Sequence, residues 1–502
     1  MRKKIGIFLV SILLVSVATG YIWWNSCYQS SSPGGGNTYY VSAIGNDSNP
    51  GTPNSPFRTI QKAMNVVNPG DTVLVRGGTY KEGRITLRRC GTPNNWINIK
   101  AYPNETPIID GSDGYDYGWG GGLVQIGECA YSWSSPLPER GFWGVEYVKF
   151  DGFTVQNTNG VNHGRGYGIS TNFCRYVIVS NCTTMNTGSS GIGVKNGMEY
   201  SPYGNWNPLP KSHHIWILNN HIYNANSGTP KVGEALSTSG CEDVYIMGNY
   251  IDSKYEGISA GCGCNRITIA YNEVVDDGIN IYIDAEGLDQ QDFWVYGNYC
   301  HGNGNGCVIG TEQPGWPDNP LLPTGGSVRN VYIYNNIFAS TRYHGVGCVT
   351  DSTSGIKQNI QIINNVFDCI GYAIGMWVPA THIWEDVVIR NNIIKASNYD
   401  GGIRISGGVQ PVSELTIDHN FFACDSELYG TNYLTGDPKW VNPSAGDYHL
   451  QSTSLAIDAG SNIDAPSVDF DGNPRPQGTA FDVGAYEYGS GNNPPTKYIY
   501  YP

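Results

Sequence analysis

The feature that most constrains this chain is a repeat of short apolar strands between residues 231 and 315. Three times a strand, a short loop and a second strand follow one another, and the second strand ends at an asparagine. Extending the register predicts equivalent residues at Asn181, Asn220, Asn249, Asn272, Asn298, Asn336, Asn365, Asn392 and Asn420. Repeats of about 20 to 50 residues are typical of solenoids. The units contain no stretch of helical periodicity, so the sequence predicts an all-β single solenoid.

The recurring asparagine has a physical explanation. An asparagine tolerates left-handed backbone geometry, and its amide can hydrogen-bond the equivalent asparagine of the next coil. We therefore expect these side chains to stack one above another at one corner of a parallel β-helix. About a dozen coils, from roughly Thr72 to Tyr448, would account for the repeat.

Length and composition agree with one elongated domain. The chain has 502 residues, and a solenoid can grow to this size along one axis. Its 66 glycines, 35 tyrosines and 14% charged residues suit many turns and many outward strand positions. The net charge of −14 argues against nucleic acid or an anionic membrane surface as a partner. We expect a monomer.

The N-terminal segment predicts export. Three basic residues precede an apolar run that ends at Trp24, so residues 1–24 are a signal peptide or an uncleaved signal anchor. Residues 25–37 follow as a Ser/Gly/Pro linker. The expected location is extracellular, either secreted or at the cell surface with an N-terminal membrane anchor.

Thirteen cysteines in an exported chain raise the question of disulfides, but their positions suggest another role. Cys307 and Cys348 fall at strand positions that apolar residues occupy in other units, which predicts small buried core residues. Cys262 and Cys264 flank a glycine and predict a tight loop, because zinc would need two further ligands at matching spacing.

A short amphipathic helix precedes the first coil. Ser55 as N-cap, Pro56 in the first turn and apolar residues at helical spacing predict a helix from Pro56 to Val67. Its apolar face can cover the open end of the solenoid core. The predicted organisation is therefore a capped β-helix over residues 38–436, a closing segment over 437–490 and a tail over 491–502.

The entry segment from Tyr40 to Tyr80 and the closing segment from Asp447 to Glu487 carry a family resemblance. Together with the coils they resemble right-handed parallel β-helix proteins of the pectin-lyase-like superfamily, including family 9 polysaccharide lyases and β-helical glycoside hydrolases. The resemblance implies a right-handed coil and extended sugars bound on the outer face of the Gly-led strands. It does not choose between lyase, hydrolase, epimerase, esterase and adhesin.

Carboxylates on that face are the candidate catalytic groups. Counting from the leading glycine, the seventh position is Asp284, Glu312 or Asp351 in successive units, and alternation predicts that it points outward. Carboxyl groups about 4.8 Å apart would repel, which raises the pKa of at least one of them. Paired acids of this kind are the equipment of a retaining glycosidase. We assign Glu312 as general acid, Asp284 as nucleophile and Asp351 as a supporting acid.

Aromatic and basic side chains supply candidate sugar contacts. Tyr282 and Trp377 are predicted to point outward, and Trp316 lies in a long loop after Glu312. Such rings can stack on sugars, although an exposed ring can also only pack on a loop. Lys195 is an outward lysine about three coils from Asp284.

A second acidic group stands just before the Gly-led strands. Glu256, Asp276, Asp277 and Asn280 resemble the acidic calcium site of family 9 lyases, except that Asn280 replaces an acid. The resemblance therefore implies a possible Ca²⁺ ion there. The same residues can instead form turns into strands.

Three functions follow from these patterns. The first is an exported glycoside hydrolase that cleaves an extracellular polysaccharide with Asp284 and Glu312. The second is a calcium-dependent pectate or uronan lyase, for which no lysine or arginine base is evident on the coils of those acids. The third is a non-catalytic surface glycan-binding protein or adhesin. Unsaturated products that absorb in the near ultraviolet would identify the lyase.

Overall fold

The computed structural model describes residues 36–113, 121–129, 142–158, 166–195, 211–225, 227, 234–276, 278–285, 288–311, 326–349, 355–377, 382–397, 401–406 and 413–489. The predicted export segment and the tail lie outside these ranges. So do Asp277, Glu312, Trp316 and Asp351, and for Asp276 only the backbone is described.

The described chain winds through three long parallel sheets as a right-handed β-helix, and each coil adds one strand to each sheet. The first sheet contains β1 (Thr38–Val41), β2 (Thr72–Val75), β5 (Ile97–Ala101), β10 (Glu146–Asp151), β13 (Arg175–Ser180), β16 (His213–Leu218), β19 (Glu242–Met247), β22 (Asn265–Ala270), β25 (Gln290–Tyr296), β28 (Ser327–Tyr334), β31 (Gly355–Ile363), β34 (His382–Arg390) and β37 (Ser413–Asp418).

The second sheet contains β3 (Gly78–Tyr80), β6 (Pro107–Asp110), β11 (Thr154–Gln156), β14 (Thr183–Met185), β17 (His221–Tyr223), β20 (Tyr250–Ser253), β23 (Glu273–Asp276), β26 (Tyr299–His301), β29 (Ile337–Ala339), β32 (Val366–Cys369), β35 (Ile393–Ala396), β38 (Phe421–Phe422) and β39 (Leu434–Thr435). The third sheet contains β4 (Ile85–Leu87), β7 (Gly122–Ile126), β12 (Tyr167–Asn172), β15 (Ile192–Lys195), β18 (Leu236–Ser239), β21 (Glu256–Gly261), β24 (Ile279–Asp284), β27 (Asn305–Gly310), β30 (His344–Val349), β33 (Tyr372–Trp377) and β36 (Ile403–Ser406). The predicted fold class is confirmed.

The core is a set of residue stacks that run along the helix axis. One register of the third sheet places Ile258, Ile281, Cys307, Val346 and Ile374 beside one another on successive strands, and all are fully buried. Burying an aliphatic side chain of this size stabilises the fold by roughly 1.5–3 kcal/mol. The prediction that Cys307 and Cys348 are buried core residues is confirmed.

The asparagine ladder forms as predicted over most of its length. From Asn220 to Asn420, each buried amide Nδ2 donates to the Oδ1 of the next ladder asparagine at 2.9–3.0 Å. The assignment of Asn181 to the ladder is wrong, because the backbone N–H of Cys182 donates to Asn220 Oδ1. Asn181 stands one residue earlier with φ of 53° and donates to Asp151.

The N-terminal cap is shorter than predicted. The helix α1 spans Ile60–Val66, and Thr59 rather than Ser55 is its N-cap, with a side chain that accepts from the Lys62 backbone N–H. Asp47 accepts hydrogen bonds from both Arg58 and Thr59, which keeps the chain extended before the helix. The buried face of α1 belongs to the main core, as expected for a cap. No helix in the described ranges is long and apolar enough to cross a membrane.

The closing segment packs outside the coils. The last parallel pairing, β38 with β39, ends at Thr435, earlier than the predicted Tyr448. An antiparallel pair follows, β40 (Trp440–Asn442) and β41 (Asp447–Leu450), with a 3-10 helix at Pro443–Ala445 between them. Residues around Phe470 and Tyr486 then pack on outward side chains of the second sheet, including Ile393. A further antiparallel pair joins β8 (Glu128–Cys129) and β9 (Phe142–Trp143).

Candidate functional site

The outer face of the third sheet carries two outward registers, because alternate residues of its strands enter the core. From β15 to β36 the first register contains Gly193, Ser237, Ser259, Tyr282, Val308, Gly347, Gly375 and Arg404. The second contains Lys195, Ser239, Gly261, Asp284, Gly310, Val349, Trp377 and Ser406. Glycine and serine are the commonest residues in these two registers, so most of this face is low and only a few large side chains project from it. We call this low surface the glycine floor.

The strand register differs from the one on which the predicted stack of three carboxylates was based. Asp284 pairs with Gly310, and Gly310 pairs with Val349. Glu312 and Asp351 lie two residues beyond these positions, outside the described residues. The error has a structural cause: the prediction aligned Gly306 with Gly278, whereas the Asn305 backbone N–H donates to the Gly278 carbonyl. The leading glycines therefore occupy different registers in successive coils.

Asp284 sits in a notch above Gly310. A Cβ at Gly310 would lie 2.8 Å from Tyr282 Oη and 3.1 Å from Asp284 Oδ1, so only glycine leaves room for both groups. Asp284 is 2% exposed and Tyr282 is 5% exposed. Asp284 is therefore a buried carboxylate, and little of the Tyr282 ring is open to a sugar.

A buried lysine lies near this notch, on the first sheet. Lys357 Nζ donates to Thr311 Oγ1 at 3.1 Å and lies 5.0 Å from the centre of the Trp384 ring. Burial lowers the pKa of Lys357 to about 8, while the nearby Cys348 and the Asp284 carboxylate act in the opposite direction. The sequence search missed this lysine because it considered only the Gly-led strands.

Lys195 and Trp377 lie in the register of Asp284, each three strands from it in opposite directions. Lys195 Nζ donates to Ser237 Oγ at 2.6 Å and lies 5.7 Å from the centre of the Tyr167 ring. Trp377 is 48% exposed, which leaves its ring open to solvent. Their contacts with sugar remain predictions.

His344 is a candidate functional residue that sequence reasoning missed. Its ring crosses the glycine floor: a Cβ at Gly347 would lie 3.2 Å from His344 Cγ, and one at Gly375 would lie 2.7 Å from His344 Nε2. Nδ1 is 3.1 Å from Asn305 Oδ1, an acceptor, so we assign the proton to Nδ1 and the lone pair to Nε2. Burial lowers the pKa of His344 below its usual 6.5, which favours the neutral ring.

Arg404 adds a cation beside this histidine. Arg404 pairs with Gly375 in the strand register, and its guanidinium lies 5.3 Å from the centre of the Tyr372 ring and donates to Tyr372 Oη. The other neighbour of Tyr372 is His344, with ring centres 5.7 Å apart and an interplanar angle of 20°. His344 and Arg404 therefore flank Gly375. Gly345 and Gly347 at alternate positions of one strand, followed by Gly375 in the next strand, are the sequence signal that could have identified this floor.

Among the predicted metal ligands, Glu256, Asn280 and the backbone of Asp276 lie at one corner of the coil, and Asp277 is outside the described residues. Ser253 pairs with Asp276 at the end of the second sheet, and Glu256 pairs with Ile279 at the start of the third. Asn280, however, is fully buried, and its Nδ2 donates to the Asn305 carbonyl at 2.8 Å. Asn280 therefore points inward like its neighbour Ile281, because strand alternation does not hold at the corner.

The oxygen donors at this corner nevertheless suit a hard cation. Asn280 Oδ1 is buried and has no hydrogen-bond donor among the described residues. Oxygen ligands of this type are those that Ca²⁺ prefers. The described residues hold no group of three or more His, Cys, Asp or Glu side chains that could bind a metal. That set does not include the side chains of Asp276 and Asp277.

Three parallel sheets wound in one coil define the class of right-handed parallel β-helix proteins. A family model narrows this class. It describes the Pel9A-like right-handed β-helix region and matches residues 39–373, and the chain belongs to that family.

Curated relatives agree with this assignment. The chain is 23% identical to pectate lyase L of Dickeya dadantii (strain 3937) over 476 residues, covering 89% of this chain and 90% of that protein. It is 35% identical over 111 residues to the uncharacterized protein YwoF of Bacillus subtilis (strain 168), covering 22% and 23%. It is 37% identical over 75 residues to pectate lyase PEL9 of Emericella nidulans, covering 15% and 18%. These last two matches span less than a quarter of either relative.

Two solved structures share the fold. The crystal structure of pectate lyase Pel9A superposes with a TM-score of 0.52 at 17% identity, covering 90% of this chain and 97% of that one. The complex of XylC with xylose gives a TM-score of 0.52 at 13% identity, covering 89% and 98%. At these identities the likeness shows the fold alone.

Proposed function

We propose that this protein is a polysaccharide lyase that cleaves a uronate-containing glycan on the outer face of the third sheet. One observation carries the proposal: the His344 ring lies over Gly375, the strand partner of Arg404, and the Tyr372 ring contacts both His344 and the Arg404 guanidinium. Elimination from a uronate needs a base for the proton next to the carboxylate and a cation for the carboxylate itself. The two side chains supply these groups side by side.

His344 would act as the base. Its neutral ring has a lone pair on Nε2, and Asn305 holds the other nitrogen. The base takes the proton from the ring carbon that bears the carboxylate, the C–O bond on the next carbon breaks, and a double bond forms between the two carbons. The leaving oxygen takes a proton from water. A positioned base of this type typically contributes about 10²–10⁴-fold to the rate.

Arg404 would bind the uronate carboxylate. A guanidinium matches a carboxylate with two parallel hydrogen bonds, and its charge stabilises the negative charge that develops as the proton leaves. The Glu427 carboxylate is 3.9 Å from Arg404 Nε, and both side chains are about half exposed. That distant, solvated pair contributes little and leaves the guanidinium available for substrate.

Calcium is a second part of the proposal. Glu256, Asp276 and Asp277 would hold the ion with Asn280 Oδ1, and the bound ion would neutralise a uronate carboxylate. Glu256 stands at the register of His344 but three strands away. We therefore give this corner no part in proton removal. The family membership and the match to pectate lyase L along most of both chains support a uronate substrate. Export through residues 1–24 remains a prediction.

The test is product chemistry on polygalacturonate, rhamnogalacturonan, alginate and a neutral glucan. We expect unsaturated products that absorb in the near ultraviolet from at least one uronate polymer. His344→Gln should lower the rate about 10²–10⁴-fold without changing the folded spectrum. His301→Gln is the matched control, since His301 is a similarly half-buried histidine on the second sheet, 3.2 Å from Glu273. Saturated products alone would refute the lyase.

A glycoside hydrolase is the second candidate, favoured by the Asp284 notch. There a buried carboxylate and the Tyr282 hydroxyl both lie against Gly310, and a retaining glycosidase uses such a carboxylate as its nucleophile. Saturated products that disappear with Asp284→Asn would support it and would give Glu312 a partner role. A protein that binds glycans and releases no product would be the non-catalytic adhesin.

A further inference from the structure

A cavity lies on a different side of the coil, between the outer face of the first sheet and the closing segment. Its volume is about 470 Å³, within the range of small-molecule sites. The coil side contributes Tyr271, Trp294, Tyr296, Gly297, Tyr332, Tyr334, Asn335, Gln361 and Ile363, and the closing segment contributes Asp464, Pro466, Ser467, Val468 and Asp469. We name this cavity the aromatic groove.

The aromatic rings of the groove form two parallel rows. Trp294 and Tyr332 stack with ring centres 6.1 Å apart and an angle of 15°. Tyr296 and Tyr334 stack at 5.0 Å and 4°. Each stack joins residues that pair between β25 and β28. The rings are held by neighbouring strands, so their positions are preorganised before any ligand arrives.

The opposite wall is fixed to the coil. Asn335 Nδ2 donates to the Val468 carbonyl at 2.7 Å, and Arg475 donates to Asn335 Oδ1 at 3.2 Å. Arg475 also forms a fully buried ion pair with Glu487 at 2.7 Å. The closing segment therefore forms a firm side of the groove.

The charge of the groove favours neutral ligands over polyanions. Its lining contains two carboxylates, Asp464 and Asp469, and no lysine or arginine. Arg390, which donates to Asp464 at 2.9 Å, is not part of the lining. A polyanion would meet no cation here, whereas a neutral sugar can stack its apolar face on the rings and hydrogen-bond the Tyr, Gln and Ser side chains.

We propose that the aromatic groove binds a neutral glycan chain. This site is separate from the His344 region, because it uses the first sheet and the closing segment. It would hold uncharged sugar segments of a polysaccharide while a uronate segment occupies the third sheet. The groove goes beyond the proposed lyase activity and does not depend on it.

The experiment measures binding of soluble xyloglucan, galactomannan and arabinogalactan, with polygalacturonate as the charged comparison, by affinity electrophoresis and calorimetry. We expect at least one neutral polymer to bind the whole chain. Trp294→Ala with Tyr332→Ala should weaken that binding about tenfold or more, and His344→Gln should leave it unchanged.

Tyr245→Ala is the matched control. Tyr245 stands in the register of Trp294, two strands away and outside the groove, where it stacks on Trp216. Three results would overturn the proposal: no neutral polymer binds, Tyr245→Ala weakens binding equally, or the groove variant changes only a concentration-dependent self-association seen by sedimentation.

Discussion

The first and third sheets share one core but present opposite kinds of outer surface. The outer face of the third sheet carries glycine and serine with a few charged side chains, among them the buried Asp284 and the partly exposed Arg404. The first sheet exposes stacked rings, from Trp216 with Tyr245 to Tyr296 with Tyr334. Most inward side chains of both sheets are apolar and almost fully buried.

This contrast separates what builds the coil from what gives each surface its chemistry. Inward positions are constrained by the stack above and below, while outward positions can vary strand by strand. A low floor with isolated polar groups suits chemistry on a bound chain, whereas rows of rings suit holding a chain without changing it. The following predictions test this division.

The largest expected effect is at Gly375, which lies under the His344 ring and pairs with Arg404 in the strand register. A Cβ there would lie 2.3 Å from His344 Cδ2, so Gly375→Val must displace the ring. We expect lyase activity to fall at least about 100-fold, as for loss of the base, with neutral-glycan binding unchanged. Gly193→Ala is the control, because its nearest contact would be an ordinary 3.6 Å. Equal activity in the two variants would contradict the assignment.

A smaller effect concerns stability, through Lys357 between the two sheets. Its folded pKa of about 8 lies below the ordinary 10.5, so the unfolded state binds more protons between these pH values. Stability should therefore rise by about 3 kcal/mol as pH increases from 8 to 10.5. Urea unfolding of the parent and of Lys357→Met between pH 8 and 10.5 measures how much this lysine contributes to the pH dependence of the unfolding free energy. If the unfolding free energy changes with pH equally in both proteins, Lys357 does not make this contribution.

The pH profile of elimination should show the His344 ring directly. Its pKa is lowered by burial, and the base must be unprotonated, so activity should persist below pH 6.5. Once the pH falls below the lowered pKa, kcat/KM should decline about tenfold per pH unit. Neutral-glycan binding should not follow this decline. A midpoint above 6.5 would point to another base.

The smallest expected effect is that of calcium at the Glu256 corner. An ion that binds only the folded chain stabilises it by about 2.7 kcal/mol at 100 times its Kd, and by less at lower concentrations. Thermal unfolding with added calcium and with a chelator measures the shift, and Glu256→Gln should abolish it. A melting temperature that changes with neither calcium nor chelator would mean that the corner is polar but binds no calcium.

The fold was predictable because its signal is repeated. A single asparagine says little about the fold, but eight of them at similar spacing predict a coil that repeats. In the structure each ladder amide hydrogen-bonds the next. The register within a strand was not predictable from leading glycines. Gly278 lies before its strand while Gly306 lies inside one, so counting from the glycine shifted Glu312 by two residues.

The candidate site was only partly predictable, for a related reason. Alternation correctly placed Tyr282, Asp284 and Trp377 on the outer face, but Asn280 and Ile281 both point inward where the chain turns a corner. His344 was missed because its ring leans across two glycines of its own and the next strand. Such a contact depends on which strands become neighbours, and that is visible only after folding.

The asparagine ladder also makes the N-terminal coils differ from the later coils in how they are held together. It begins at Asn220, and the two preceding coils hold Phe153 and Cys182 at the same corner instead. The later coils are thus joined at this corner by an unbroken row of side-chain amide hydrogen bonds. The earlier coils rely on apolar packing at the same corner. We expect the N-terminal coils, which lack the ladder, to lose backbone protection before the coils that the ladder joins in native-state hydrogen exchange.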